Sequence, residues 1–222
     1  LLLFILCAVS VFRFLRTGMV KLNAFVLLRR DLHTSWNAKE KQFIRNFFAG
    51  RVPCNVLVFG DGGGYSAIAS MNAGGLTVIL QDSRLRPTAS HARVYGITYA
   101  TAASEAYRLL RDSREEKKKK KNRDRSQLAL RNLPPEVWDT PWDVVVVDGP
   151  KGDSPESPGR MASIYTAGLL ARKKNSTTTH VVVHDTDRMI EKWFSREFLC
   201  EGNLVWSKGR FWDFRIVNPP GS

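Results

Sequence analysis

The chain has 222 residues, 43% of them hydrophobic, which suits one globular domain with a full-sized core. Its formal net charge of +13 favours a polyanionic partner, whether nucleic acid, anionic lipid or acidic polysaccharide. Three cysteines, Cys7, Cys54 and Cys200, exclude a disulfide-rich scaffold and a cysteine-built metal cluster.

The sequence opens LLLFILCAVSVF, an apolar run too short to span a bilayer as it stands, followed by Arg13 and Arg16. Residues 1–30 are expected to be a truncated membrane anchor or stem, and residues 31–222 a catalytic domain. Residues 1–30 hold five basic residues and no acid, a pattern that by itself favours a cytosolic flank.

Next, KEKQFIRNFFAG carries Phe43, Ile44, Phe47 and Phe48 at helical spacing, with Gly50 as the stop. NVLVFG reads as a buried strand, YSAIASMNAGG as a short helix closed by Gly74 and Gly75, LTVILQD as a second strand and GITYAT as a third. ASEAYRLLRD reads as helix. Residues 111–127 read as an exposed charged loop, because Arg111 to Arg125 hold nine bases and four acids and cannot bury apolar surface. WDVVVVDGP is a fourth strand, and Pro158 is expected to open the helix PGRMASIYTAGLLARKK. Asn175-Ser176-Thr177 is an N-glycosylation sequon. THVVVHD is a fifth strand and RMIEKWFSREFLC its helix. NLVWSKG and RFWDFRIV form a closing antiparallel hairpin. Strand–helix alternation with continuously apolar strands predicts an α/β fold with a mostly parallel sheet covered on both faces, and the terminal antiparallel hairpin on it resembles the Rossmann-like methyltransferase sheet. Ligands of such sheets sit at the carboxyl ends of the strands.

The turn after the first strand, Gly60-Asp61-Gly62-Gly63-Gly64, is not a P-loop, since Tyr65-Ser66 stands where Lys-Ser/Thr is required. It matches a dinucleotide fingerprint only as Gly62, Gly64 and Ala67. It suits the methionine portion of S-adenosylmethionine, which must lie close along the backbone: residues without Cβ permit that approach and permit positive φ. Asp82, ending the second strand, can accept both ribose hydroxyls. The cofactor-binding set is therefore Gly60, Asp61, Gly62, Gly64 and Asp82. The plain alternative is a tight turn that holds no ligand.

The fourth strand ends Asp148-Gly149-Pro150-Lys151 and the fifth His184-Asp185-Thr186-Asp187-Arg188. Asp148 and Asp185 are expected to converge, and two close carboxylates need a cation between them. A divalent metal held by Asp148 and Asp185 meets that need, with Lys151 as general base. This arrangement resembles the catechol-type, metal-dependent O-methyltransferases. Proton uptake by His184 or Asp185 without metal is the alternative, and capping of the next helix is the simplest reading of Asp187. In-line methyl transfer needs positioning rather than a nucleophilic triad.

From Pro53 to Phe214 the chain resembles the plant polysaccharide-biosynthesis family that includes glucuronoxylan 4-O-methyltransferases. The matching text is PCNVLVFG, NAGGLTVIL, LPPEVWDTPWDVVVVDGPKGDSPESPGRMASIYTAGLLARKK, THVVVHDTDRMIEKWFSREFLC and GRFWDF. The resemblance implies a single-pass type II protein of the Golgi membrane, held by its N-terminal segment. It implies methylation of glucuronic acid in an acidic cell-wall polysaccharide, with S-adenosylmethionine as cofactor; no nucleic acid partner is expected, because the chain lacks an Asn/Asp-Pro-Pro-Tyr/Phe motif and its basic run is one loop rather than a patterned groove. By position, Gly60, Gly62 and Asp82 match the cofactor turn and acid. Asp148, Arg160, His184, Asp185, Asp187 and Arg188 match motif residues, with Arg160, Arg188 and Lys151 as cations for an acidic sugar. The chain departs from the family at Gly63-Gly64, where members tend to have His-Asp, and at Gln81 and Lys151. That altered turn keeps open a non-catalytic xylan-deposition protein on the same fold, although HDTDR sides with the methylating branch. In an oxidising lumen Cys54 and Cys200 are expected to be able to pair.

Overall fold

The computed structural model describes residues 36–83, 91–118, 126–173 and 178–218. Residues 1–30, the sequon at Asn175, Cys7 and the lysine run from Lys119 to Arg125 lie outside them. Among the described residues no helix is long and apolar enough to cross a membrane.

The chain runs α1 (Ala38–Ala49), β1 (Val56–Phe59), α2 (Gly62–Met71), β2 (Thr77–Asp82) and β3 (Arg93–Ile97). It continues through α3 (Ala106–Lys118), the short α4 (Pro135–Asp139), β4 (Val144–Val147), α5 (Met161–Ala171) and β5 (Thr178–Val183). It closes with α6 (Met189–Ser195), a π-helical turn (Arg196–Cys200), β6 (Leu204–Lys208) and β7 (Phe211–Val217). Seven strands form one sheet in the order β3-β2-β1-β4-β5-β7-β6. β1 to β5 pair in parallel, and β7 lies antiparallel between β5 and β6. This is the mostly parallel sheet with a terminal hairpin that the alternation of elements predicts.

Successive strand residues point to opposite faces, so each apolar strand feeds two cores. Leu57, Phe59, Val145, Val147, Val181 and Val183 pack under α3, α5 and α6. Val56, Val58, Val144, Val146 and Val182 pack under α1 and α2 with Phe43, Ile44, Phe48 and Tyr65. Each such side chain contributes about 1.5–3 kcal/mol on burial. α1 starts where Asn37 and Glu40 cap each other reciprocally, Asn37 Oδ1 accepting from the Glu40 N–H and Glu40 Oε2 from the Asn37 N–H.

Four expected element bounds need correction. The third strand is RVYGI rather than GITYAT: it is an edge strand whose exposed Arg93 hides it from an apolar-run reading, yet Arg93 to Ile97 pair with Val78 to Asp82. The second helix starts at Gly62, so the true turn is Gly60-Asp61 alone. Pro158 does not open α5. Gly159 takes φ +65°, Arg160 is the N-cap, and residues 155–157 instead accept the N–H groups of Ala103 and Ser104. Residues 111–118 are helical rather than loop, because α3 anchors through Leu109, Leu110 and Ser113 and through an Arg114–Glu197 pair at 2.8 Å.

Gly75 shows how tightly the sheet's lower edge is built. Asn72 accepts from the Cys54 N–H, and its amide donates to the Cys54 carbonyl and Thr77 Oγ1. A Cβ at Gly75 would lie 2.5 Å from the Cys54 carbonyl oxygen and 2.6 Å from Asn72 Oδ1. Gly75→Ala is therefore expected to destabilise the protein by about 2–3 kcal/mol through overpacking against backbone, read as a lower midpoint in urea. Cys54 and Cys200 are both free thiols, which corrects the expected pairing. Cys54 sits in that Asn72 cluster, while Cys200 accepts a long contact from Arg172.

Candidate active site

At the carboxyl ends of β4 and β5 six charged or ionisable side chains close into a ring. Arg210 Nε donates to Glu40 Oε1 at 2.9 Å and its Nη1 to Asp185 Oδ1 at 2.8 Å. Arg160 Nη2 donates to Asp185 Oδ2 at 2.8 Å and lies 3.1 Å from Asp148 Oδ1. Asp148 Oδ1 holds His184 Nδ1 at 2.7 Å, and His184 Nε2 faces Glu40 Oε1 at 3.5 Å. Three carboxylates thus alternate with two guanidiniums and an imidazole. Glu40 is fully buried, His184 is 2% exposed and Asp185 and Arg160 are each 4% exposed.

Each fold element contributes because of its end. Asp148 follows the all-valine β4, and His184 and Asp185 follow β5. Asp185 takes φ +58°, a left-handed conformation that Asp tolerates better than most residues; the grip of Arg160 and Arg210 on its carboxylate holds it there. Arg160 reaches in as the N-cap of α5, with Nη1 on the His184 carbonyl at 2.7 Å. Glu40 is the capping-box acid of α1, and Arg210 sits in the β6–β7 turn, where Gly209 at φ +58° packs against Glu40. Trp36 covers the ring: its Nε1 donates to Asp148 Oδ2 at 3.3 Å, and its ring meets Tyr65, His184 and Phe211 edge-on. Phe211 lies tilted over the imidazole at 4.3 Å. Tyr65 donates to Asp148 Oδ2 at 2.7 Å.

The electrostatics follow from this packing. Burial alone raises the Asp148 carboxyl, but the His184 hydrogen bond, the Arg160 charge and the Tyr65 hydroxyl outweigh it and hold the group at about 2. Glu40 is likewise held at about 2, its burial outweighed by the Arg210 side chain and by the Asn37 and Arg210 N–H groups. The Tyr65 hydroxyl is pushed well above its usual range by burial and by Asp148, so it stays a donor. Both carboxyls titrate near 4 when unfolded, so the unfolded chain takes up more protons as pH falls between about 4.5 and 2. The stabilisation, roughly 2–3 kcal/mol for each group, is complete above that window and lost through it. Urea denaturation across pH 5 to 2 is expected to show a midpoint falling steeply below pH 4, and a flat profile would contradict the ring's ionisation.

The structure brings together Asp148, His184, Asp185 and Arg160 as the sequence suggests, but with altered roles. Asp148, His184 and Asp185 offer three ligand atoms within 4.8 Å of one another. The place between the two carboxylates, expected to hold a divalent metal, is filled by the Arg160 guanidinium. A bridging metal does not fit with Arg160 there. Arg160 is in turn spent on protein acceptors, so it does not offer those nitrogens to a substrate. Lys151, expected as a general base, is exposed and lies outside the ring. Asp187 is exposed, and no side chain caps α6. Arg188 is 44% exposed at its side chain, with Nη2 3.6 Å from Asp185 Oδ2, at the ring's outer edge.

The cofactor set divides. Gly60 is buried: a Cβ there would meet the Tyr65 ring at 3.1 Å, and a Cβ on Gly149 would lie 2.8 Å from Gly60 Cα. Close packing of the β1 and β4 ends, not positive φ, accounts for Gly60. Gly62 and Gly64 start α2, leaving its first turn bare of side chains, with exposed Asp61 before it. Asp82 is half-buried at the end of neighbouring β2. The residues sequence reading missed are Glu40, Arg210, Tyr65 and Trp36. Glu40 left a signal in Asn37-Ala-Lys-Glu40, which reads as a helix cap, and Arg210 lies in the family-matching GRFWDF without a role that the sequence assigns.

A family model described as IRX15/IRX15L/GXM matches residues 39–214. Arabinogalactan O-methyltransferase 2 of Arabidopsis thaliana is 41% identical over 186 residues, covering 78% of this chain and 64% of that protein. Glucuronoxylan 4-O-methyltransferase 1 of the same plant is 39% identical over 173 residues, covering 74% and 61%. Its Protein IRREGULAR XYLEM 15 is 41% identical over 166 residues, covering 69% and 52%. The chain thus spans between about half and two thirds of the length of these relatives. All six ring residues, from Glu40 to Arg210, fall inside the matched region, and the chain belongs to the IRX15/IRX15L/GXM family.

Proposed function

We propose that this chain is an S-adenosylmethionine-dependent O-methyltransferase acting on glucuronic acid in a plant cell-wall polysaccharide, with O-4 of glucuronoxylan side chains as the foremost target. The observation that carries the reading is the Asp148–His184 pair at the carboxyl ends of β4 and β5, next to a glycine turn, in a chain related to named O-methyltransferases.

The first turn of α2, built of glycines, fits the methionine portion of the cofactor, because it allows close approach and the helix dipole favours a carboxylate there. Asp82, one strand away, suits the two ribose hydroxyls. When bound, the cofactor supplies an electrophilic sulfonium methyl group. The protein's own part is to place a sugar hydroxyl and take its proton. Asp148 Oδ1 accepts a hydrogen bond from His184 Nδ1–H, which keeps the proton on Nδ1 and leaves Nε2 as the acceptor, the logic by which a carboxylate fixes a histidine base. His184 Nε2 is a buried atom without a hydrogen-bond partner. Asp148 itself, held at about 2 by three donors and the Arg160 charge, is a poor base and acts by orientation. Arg188 and the exposed Lys151 are the cations offered to the sugar carboxylate. Because His184 is 2% exposed, Trp36 must swing away before a hydroxyl reaches Nε2.

The protein is proposed to work in the Golgi as a single-pass type II membrane protein, with residues 1–30 as the anchor; the apolar run from Leu1 to Phe12 supports an anchor, and the orientation is taken from the family resemblance against the tendency of the basic flank. A second reading, a non-catalytic xylan-deposition protein, is favoured by one observation: the ring is buried and closed over by Trp36. Calorimetry separates the two. Micromolar binding of S-adenosylmethionine supports the enzyme, and no binding to folded protein supports the second reading. Transfer of label from the cofactor into glucuronoxylan, with and without divalent cation, is the direct test.

A further inference from the structure

We propose that Met189, Trp193, Arg196 and Trp212 form a subsite for the sugar units that flank the glucuronic acid, so that the protein reads a stretch of acidic polysaccharide rather than one sugar. The inference rests on the glycan O-methyltransferase reading above and extends it to a surface outside the ring.

The strip starts at the ring and leads away from it. Arg188, 3.6 Å from Asp185, is the N-cap of α6. Met189 and Trp193 follow, 65% and 39% exposed, and their spacing of four puts them on one helix face. Arg196 lies three residues further on, and its guanidinium sits 5.5 Å from the centroid of the Trp212 ring. Trp212 is half-buried and paired in register with Val183, the residue just before His184. One surface thus carries a thioether, two indoles and two guanidiniums, beginning beside the residues proposed for chemistry.

Exposing two large apolar side chains side by side on a short helix contributes nothing to folding, and a contiguous patch of this kind marks a contact surface. The chemistry on this patch favours a glycan. The C–H faces of pyranose rings stack on indole, whose N–H remains available to a sugar hydroxyl. Arg188 and Arg196 match the carboxylates of an acid-bearing chain, and guanidiniums recognise carboxylates bidentately. Arg196 is already drawn to Glu201 at 3.2 Å, a surface pair that an incoming carboxylate can replace at little cost.

The test titrates the full chain with free glucuronic acid and with glucuronic-acid-bearing xylo-oligosaccharides of two to eight sugars. The wild-type protein is expected to bind the longer acidic oligosaccharides about tenfold or more tightly than free glucuronic acid. Trp193→Ala and Arg196→Gln, both at exposed positions, are each expected to remove most of that gain. The Arg196 variant is also expected to flatten the salt dependence of binding. Thermal unfolding of each variant checks that it folds. A length-dependent gain that survives in both variants overturns the subsite. Methylation of the glycan by a wild-type protein whose affinity ignores chain length overturns the subsite alone. A protein that neither binds nor methylates the glycan overturns the methyltransferase reading with it.

Discussion

Asp148→Asn is expected to cut methyl transfer about a thousandfold, because it removes the group that sets the His184 tautomer. In the native protein Asp148 Oδ1 accepts from His184 Nδ1 and faces Arg160, while Oδ2 accepts from the Tyr65 hydroxyl and the Trp36 indole. An asparagine has one acceptor atom in place of two, so its amide group must confront one of those pairs of donors. If the amide faces His184, the imidazole turns acceptor at Nδ1 and Nε2 carries the proton, the wrong state for a base. If it faces Trp36, the indole N–H loses its partner and the cover over the ring loosens. Either way a buried charged network loses one member, which costs about 3–5 kcal/mol. For a chain of this size that lowers the melting midpoint by roughly 10 °C. Rate and melting curve measured on one preparation check both halves. Activity near wild type would remove His184 from the proposed base role.

Arg160→Met carries the second large effect. Arg160 Nη2 lies between Asp148 and Asp185, and Nη1 holds the His184 carbonyl, so its loss leaves two carboxylates facing each other without their shared cation. The cost is about 3–5 kcal/mol at neutral pH. The pH dependence is the more telling readout. Without the guanidinium, burial and like-charge repulsion raise one carboxyl above its unfolded value. Such a group destabilises the fold above its folded pKa and ceases to do so as pH falls through it. The variant is therefore expected to gain thermal stability between pH 7 and 5, where the wild type is flat. Arg160→Lys keeps a charge but cannot reach three acceptors, so an intermediate result is expected. Equal stability at both pH values in Arg160→Met would mean that the two carboxylates do not depend on this cation.

Much of the sheet was legible because its strands advertise themselves. VLVF, TVIL, VVVV and HVVV are apolar on both faces, which only a sheet covered by helices on both sides requires. β3 was misplaced because an edge strand need not be apolar, and Arg93 to Tyr95 gain their place from pairing with β2. The start of α5 was misplaced because Gly159, not Pro158, decides where the chain turns. The charged tract was read as a loop because charge dominated the count, although Leu109 and Leu110 anchor its first half as helix.

The site was legible where its residues follow strands. Asp148, His184 and Asp185 sit at strand ends, and the rule that chemistry gathers there found them. Their cation was not legible. Sequence shows that two converging acids need a positive partner, but not whether a metal or an arginine supplies it. Arg160 was assigned to the substrate when it serves the protein. Glu40 and Arg210 were hidden for a further reason. They are 170 residues apart and meet only because α1 and the β6–β7 turn pack at the same end of the sheet.

The most direct measurement is methyl transfer from labelled S-adenosylmethionine to glucuronoxylan and to arabinogalactan, by wild-type protein and by His184→Gln. The expected result is label in at least one glycan with wild type, bound as an alkali-stable ether at the sugar hydroxyl, and a loss of about a hundredfold or more in the variant. Contradiction would come from folded wild-type protein that transfers no label under any cation condition, from label released by alkali as a carboxyl ester, or from a His184→Gln variant that keeps its rate.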